Sequence, residues 1–227
     1  LLRRGIESFE VHYYLGRALL QLNRLEEAAP HLEEAIEMLP GHPAAYDALA
    51  ECLTAQGKLP EALVVLDQGQ LAVPEDAALH EREGQLLRQS NEPSRAIAAF
   101  EKAAELAPKA ALVRIRLGEL YRDQGRLRDA IAVMREAVAI DAAPGSYWNS
   151  LGMVLGAAEL LEESEAAFRE AISREPENPL YVYNLGLALS RQGRSREAES
   201  SFRRALELDP GFEAARARLS EITPPGS

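Results

Sequence analysis

Small residues recur along this 227-residue chain at a fixed step of 34: Gly16, Ala50, Gly84, Gly118, Gly152 and Gly186. Leucine precedes them at Leu15, Leu49, Leu117, Leu151 and Leu185, with Glu83 in the remaining copy. Twelve residues after each small residue comes another, Ala28, Ala62, Ala96, Ala130, Ser164 or Ala198. Four further on stands a bulky one, Leu32, Leu66, Phe100, Met134, Phe168 or Phe202. Three beyond that the chain returns to Ala35, Gly69, Ala103, Ala137, Ala171 or Ala205. Pro40, Pro74, Pro108, Pro176 and Pro210 close five of the six units, and no insertion disturbs the register from Phe9 to Phe212. Such a period restricts the chain to a repeat architecture, in which each unit buries its apolar face only against its neighbours.

Within a unit the apolar and small residues fall three and four apart, as in Leu185 and Leu189, then Ala198, Phe202, Ala205 and Leu206. That is the period of an amphipathic α-helix. Between the two stretches Gly57, Gly125 and Gly193 mark a helix end that turns through positive φ, with Asn23 and Asn91 as the next most tolerant residues there. Glu159 stands at the same place and predicts a different turn in the fifth unit. Pro60 and Pro93 suit the first turn of a second helix, and Asn178-Pro179 reads as a cap followed by a first-turn proline. Each unit is thus an αα-hairpin. The small residues let two helices approach closely, and a large side chain in their place would cost roughly 1–3 kcal/mol. A lone hairpin of this length buries too little surface to fold by itself.

The pattern resembles the tetratricopeptide repeat, W-x2-L-G-x2-Y followed by A-x3-F and then A and P over 34 residues. Trp148, Leu151 and Gly152 match its front best. The resemblance implies an all-α, right-handed superhelix of six antiparallel helix pairs at 9–42, 43–76, 77–110, 111–144, 145–178 and 179–212, with a capping helix at 213–222. Residues 1–8 are either the remnant of a preceding hairpin or a leader, and 223–227, with Pro-Pro-Gly, form an unstructured tail in this expectation. The chain begins at Leu1 rather than Met, which suggests a piece of a longer protein or a processed product.

Composition narrows the function. Lys and Arg number 25 against 36 Asp and Glu, a net charge of −11. That balance repels polyanions, so the expectation is no nucleic-acid partner. No apolar stretch is long enough for membrane insertion. The single Cys52 excludes an internal disulfide framework, and its alignment with Ala18 and Ala188 reads as buried packing. His12, His31, His42 and His80 lack a metal-ligand spacing, and His12 and His80 share the repeat place of Trp148. With no phosphate loop or nucleophile–base motif, neither a catalytic residue nor a cofactor is expected.

The resemblance also implies a concave surface lined by the first helix of each pair. There the second, fifth, sixth, ninth, twelfth and thirteenth residues of a unit face a ligand. Residues 77–144 carry 11 basic and 10 acidic side chains, against 5 and 13 in residues 1–76 and 9 and 13 in 145–227. Arg82, Arg116 and Arg122 on the expected concave face would attract an acidic peptide, unless Glu81, Glu119 and Asp123 pair with them along the same helices. The fifth unit has no charge on that face, and with the sixth it forms a partly apolar trough of Asn149, Met153, Tyr183, Asn184, Leu187 and Arg191, to which the cap adds Arg218. Asn149 and Asn184 each offer a donor and an acceptor for a peptide backbone. Chaperone-binding relatives use a five-residue carboxylate clamp. Only Asn184 and Arg218 match it, with Asn149, Met153 and Ala214 at its other places, so chaperone tails are not the expected ligand.

The expected function is a non-catalytic scaffold that holds a protein or peptide segment in its concave groove. The alternative is the regulatory or substrate-presenting arm of a longer enzyme whose catalytic domain lies outside this chain. Self-association through the terminal hairpins is a further expectation. Arginine outnumbers lysine 22 to 3, a skew suggestive of a GC-rich bacterial gene, and compartment is left open with a lean to the cytoplasm.

Overall fold

The computed structural model describes residues 8–140 and 143–222; the expectations for the leader, apart from Ser8, and for the tail lie outside these. The described residues form helices only, α1 (Phe9–Gln21), α2 (Leu25–Met38), α3 (Pro43–Ala55), α4 (Leu59–Ala72), α5 (Ala77–Gln89) and α6 (Pro93–Leu106), then α7 (Ala111–Asp123), α8 (Leu127–Val138), α9 (Gly145–Ala157), α10 (Leu161–Arg174), α11 (Pro179–Arg191), α12 (Ser195–Leu208) and α13 (Glu213–Ile222). The first helices start at Phe9, Pro43, Ala77, Ala111, Gly145 and Pro179, reproducing the 34-residue step. Consecutive helices pair into antiparallel hairpins. The chain divides into two compact units at Pro108: the first holds the hairpins α1–α2, α3–α4 and α5–α6, and the second α7–α8, α9–α10 and α11–α12 with α13 packed on the last.

The starts of α1, α5 and α11 are set by local side-chain caps. Ser8 Oγ accepts from Val11 N at 3.4 Å, Asp76 Oδ1 from Leu79 N at 3.1 Å and Asn178 Oδ1 from Leu180 N at 3.1 Å. Each satisfies an N–H that the helix itself leaves open. Second helices have no such side-chain cap; instead Arg24, Arg126 and Arg194 pair with Glu27, Asp129 and Glu197 three residues on. The α8 helix ends two residues short of its counterparts, in the unit that lacks the closing proline.

The turn inside every hairpin is the same. The second of its three residues has positive φ, 57° at Asn23 and Asn91, 77° at Gly57, 72° at Gly125 and 76° at Gly193. The next N–H reaches back five residues: Arg24 to Leu19 O at 2.9 Å, Arg194 to Leu189 O at 3.0 Å. Glu159 does not make a different turn, as the sequence suggests. It adopts φ 60°, and Leu160 N still bonds Leu155 O at 3.0 Å. The packed helices on either side dictate the turn, and the side chain bears the strain. A left-handed non-glycine residue costs roughly 1–2 kcal/mol. Its exposed ion pair with Arg191, 2.6 Å long, offsets at most about 1 kcal/mol of that. Glu159→Gly is therefore expected to stabilise the protein by about 0.5–1 kcal/mol in urea denaturation; a lower midpoint would show that the ion pair outweighs the strain.

The core is built from the small–bulky–small triplets. Leu32, Leu66, Phe100, Met134 and Phe202 are fully buried and Phe168 nearly so, each between its flanking small residues. The close approach is tightest at Gly118 and Gly186, where a Cβ would stand 2.6 Å from Met134 Cγ and from Phe202 Cε1. Hairpins then stack through their apolar flanks, with Tyr46, Leu49, Leu79 and Leu86 continuing the core within the first unit. Tyr181 joins the last two hairpins through its hydroxyl, which donates to Glu175 at 3.0 Å. Burial, and then this bond, push the phenol up to about 12.

Candidate functional site

The fifth and sixth hairpins and α13 enclose a cavity of about 400 Å³ within the second unit. Its floor is the rings of Phe168 and Phe202, which come up from the second helices because Gly152 and Gly186 have no side chains to bar them. Met153 on α9, Leu187 on α11 and Ile222 on α13 form apolar walls, Met153 being 45% exposed. Arg191, Arg218 and Glu221 stand at the rim, and Asn184 lines the wall. Tyr183 packs beside the cavity, its ring 5.6 Å from Phe202 and 5.0 Å from Phe212.

Two departures from the repeat line this space. Gly156 occupies a place held elsewhere by Leu20, Thr54, Arg88, Arg122 and Ser190. Its bare carbonyl accepts from Arg191 Nη1 at 2.8 Å, while Arg191 Nη2 donates to Glu159 at 2.6 Å. Ser164 stands where other units have alanine, and its buried Oγ donates to Gly152 O at 2.7 Å. Neither signal stood out by residue type, since glycine and serine read as more small packing residues. Arg218 donates to Glu221 at 2.9 Å, and that bond, with the Tyr183 hydroxyl second, holds its guanidinium more firmly charged than usual.

Asn149 departs from its expected role. It is only 7% exposed and both ends of its amide are engaged, Oδ1 accepting from Asn184 Nδ2 at 2.8 Å and Nδ2 facing Met153 Sδ at 3.7 Å. It sits behind Asn184 rather than in reach of a backbone.

The arginines of the middle repeats do not form one described surface. Arg82 belongs to the first unit, where Nε and Nη2 grip Asp47 of the preceding hairpin at 2.6 and 3.2 Å and Glu51 lies 3.9 Å away. Hydrogen bonding to Asp47 pushes its guanidinium further up. The partner is thus a neighbouring repeat, not Glu81 along the helix. Arg122, in the second unit, bonds Asp123 at 3.0 and 2.8 Å, and Arg116 on the same helix is half-buried.

His12 and His31 pack with their Nδ1 atoms 3.2 Å apart, and His42 packs at a tilt against Phe9 and Tyr13. Burial, with the His12 charge behind it, pulls His31 below its ordinary 6.5 despite Glu27. Above that value the hairpin has its full stability. Below it the unfolded chain binds a proton that the folded chain resists, so stability falls with acidification. Thermal melts followed by circular dichroism are expected to drop below about pH 6.5, and His31→Gln to flatten that loss; parallel curves for the two proteins would contradict this. Cys52 is fully buried, its Sγ donating to Leu25 O at 3.3 Å, and burial pushes the thiol up and away from nucleophilic use. Among the described residues no three metal-capable side chains gather, and no helix is long and apolar enough to cross a membrane.

Stacked helical hairpins with a lined trough are the fold of protein-interaction scaffolds, in which catalysis is not the general role. Two tetratricopeptide repeat profiles match the chain, one at residues 19–86 and the other at 81–147 and 149–220. The chain belongs to the tetratricopeptide repeat family. No curated protein matches its sequence. Among solved structures it is similar to YrrB, described as a TPR protein with an unusual peptide-binding site, at 19% identity and TM-score 0.71 over 82% of this chain and 96% of that one. It is also similar to PilF of Pseudomonas aeruginosa, at 16% identity and TM-score 0.72 over 94% and 97%. A third is the C-terminal part of a TPR repeat-containing protein from Cytophaga hutchinsonii, at 16% identity and TM-score 0.76 over 92% and 84%. At these identities the likeness is one of fold.

Proposed function

We propose that the protein is a non-catalytic scaffold, with its repeats divided as 9–42, 43–76, 77–110, 111–144, 145–178 and 179–212, that holds a peptide segment of a partner protein in the trough of the last two hairpins and α13. The observation that carries this is the cavity of about 400 Å³ with an aromatic and aliphatic floor. Its size lies within the range of small ligand sites, which combine apolar walls with a few placed polar groups. A ligand side chain the size of leucine, methionine or phenylalanine would gain about 1.5–3 kcal/mol by leaving water there. Leu187 and Met153 would grip that anchor, with Tyr183 backing the Phe202 ring, while Arg191 and Arg218 set orientation at the rim. The fold likeness to YrrB, itself described as having a peptide-binding site, supports the class of ligand. Arg82, Arg116 and Arg122 have a lesser place in this reading, since Arg82 and Arg122 hold acidic neighbours.

The test is selection from a displayed random-peptide library on the purified chain, followed by calorimetry of the selected peptides. Enriched peptides should share an apolar anchor and lose binding to Leu187→Asp. Selected peptides that bind Leu187→Asp as tightly as the wild type would place the site elsewhere.

A further inference from the structure

The first hairpin brings together two histidines that no sequence spacing connects. His12 on α1 shares its repeat place with His80, but His31 on α2 stands where other units have Val65, Ala99 or Ser201. Only this hairpin has an imidazole at both places, and packing sets the two Nδ1 atoms 3.2 Å apart. At that distance a single proton lies between them, on one ring or the other. Two imidazoles on one tetrahedral zinc, with Zn–N near 2.0–2.1 Å, hold their nitrogens about 3.3–3.4 Å apart. A cis pair on a square-planar ion stands closer, at about 2.9 Å. The observed separation falls next to the tetrahedral value. Burial, and then the His12 charge, hold His31 below its ordinary 6.5, so near neutral pH it is in the uncharged form that ligates a metal.

We propose that His12, His31 and Glu27 form a zinc site on the first hairpin. It belongs to the first unit, whereas the trough belongs to the second. Glu27 lies one turn before His31 on α2, at the i,i+4 spacing that puts two side chains on one helix face. Its carboxylate already acts on the His31 charge. It is turned to Arg24 at 2.7 and 2.6 Å, which is why three metal-capable side chains do not gather here among the described residues. That ion pair is exposed on both sides and worth at most about 1 kcal/mol, so a divalent ion held by two imidazoles can draw the carboxylate away. Two imidazoles, a carboxylate and a water are an ordinary tetrahedral zinc set. One group limits the affinity. His12 Nε2 is buried without a partner, so the hydrogen bond that usually orients a zinc histidine is missing. The ion would tie α1 to α2, and its binding would add to the stability of that hairpin.

The experiment is calorimetry with zinc chloride on the whole, untagged, chelator-treated chain. One ion per chain is expected, with a dissociation constant of about 1–10 μM. Zinc at about a hundredfold excess over that constant should raise the thermal midpoint by at least about 3 °C. His31→Gln should lose at least about a hundredfold in affinity, and Glu27→Gln about tenfold. Arg24→Ala frees Glu27 and should tighten binding about threefold, a gain that an adventitious ion on surface histidines would not show. His42→Gln and His80→Gln should bind as the wild type does. No binding up to about 1 mM zinc, unchanged affinity in His31→Gln, or Glu27→Gln and Arg24→Ala that both match the wild type would overturn the proposal. Glu27 and Arg24 are exposed, so their variants keep the test decisive even where His31→Gln disturbs the packing of α1 on α2.

Discussion

Phe202→Ala is expected to cost about 3–5 kcal/mol of stability. The ring is fully buried. It fills the space that Gly186 leaves open, touches Tyr183, and packs with Leu189, Leu219 and Ile222. Truncation removes that contact and leaves a void that α11 cannot fill, because the residue facing it is a glycine with nothing to move inward. Repeat arrays distribute stability through neighbouring contacts, so the loss should be felt first in α11 to α13. Urea denaturation gives the total, and hydrogen exchange gives its location: amides of 179–222 should exchange faster while those of α1 to α6 are unchanged. Uniform acceleration along the chain would mean that the array unfolds as one cooperative block. Phe202→Leu, which keeps most of the volume, should cost less than about 1.5 kcal/mol.

Leu187→Asp is expected to weaken selected peptides at least about a hundredfold while leaving the fold intact. Leu187 is half-buried at the cavity wall. In the free protein a carboxylate there keeps water on one side but gives up packing against the cluster of Leu189, Ala198 and Phe202, a cost within about 0.5–3 kcal/mol. Once an apolar anchor fills the cavity, that water is expelled and the charge has no partner, a penalty of several kcal/mol. Calorimetry against a thermal melt separates the two quantities. A variant that binds normally, or that melts well below the wild type, would show that Leu187 belongs to the core and not to the ligand surface.

The hairpins were legible because their signals are local or periodic. The spacing of Ala198, Phe202 and Ala205 marks the buried stripe of a helix, and Gly193 its end, before any neighbour is known. Glu159 shows the limit: its residue type argues for another turn, yet the helices on either side force the same one. Arg82 shows a second limit. Sequence separation favours Glu81, but Asp47 lies 35 residues away and directly across the hairpin stack.

The repeat, the helix boundaries and the small–bulky–small core followed from the amino-acid order, since helix period and close packing depend on residues a few positions apart. The pairing of the trough's amides did not. Asn149 and Asn184 read as two equivalent amides until folding sets them 2.8 Å apart and places Met153 behind one of them. Which atoms of a side chain are already engaged depends on what lies across from them, and that is a property of three-dimensional neighbours.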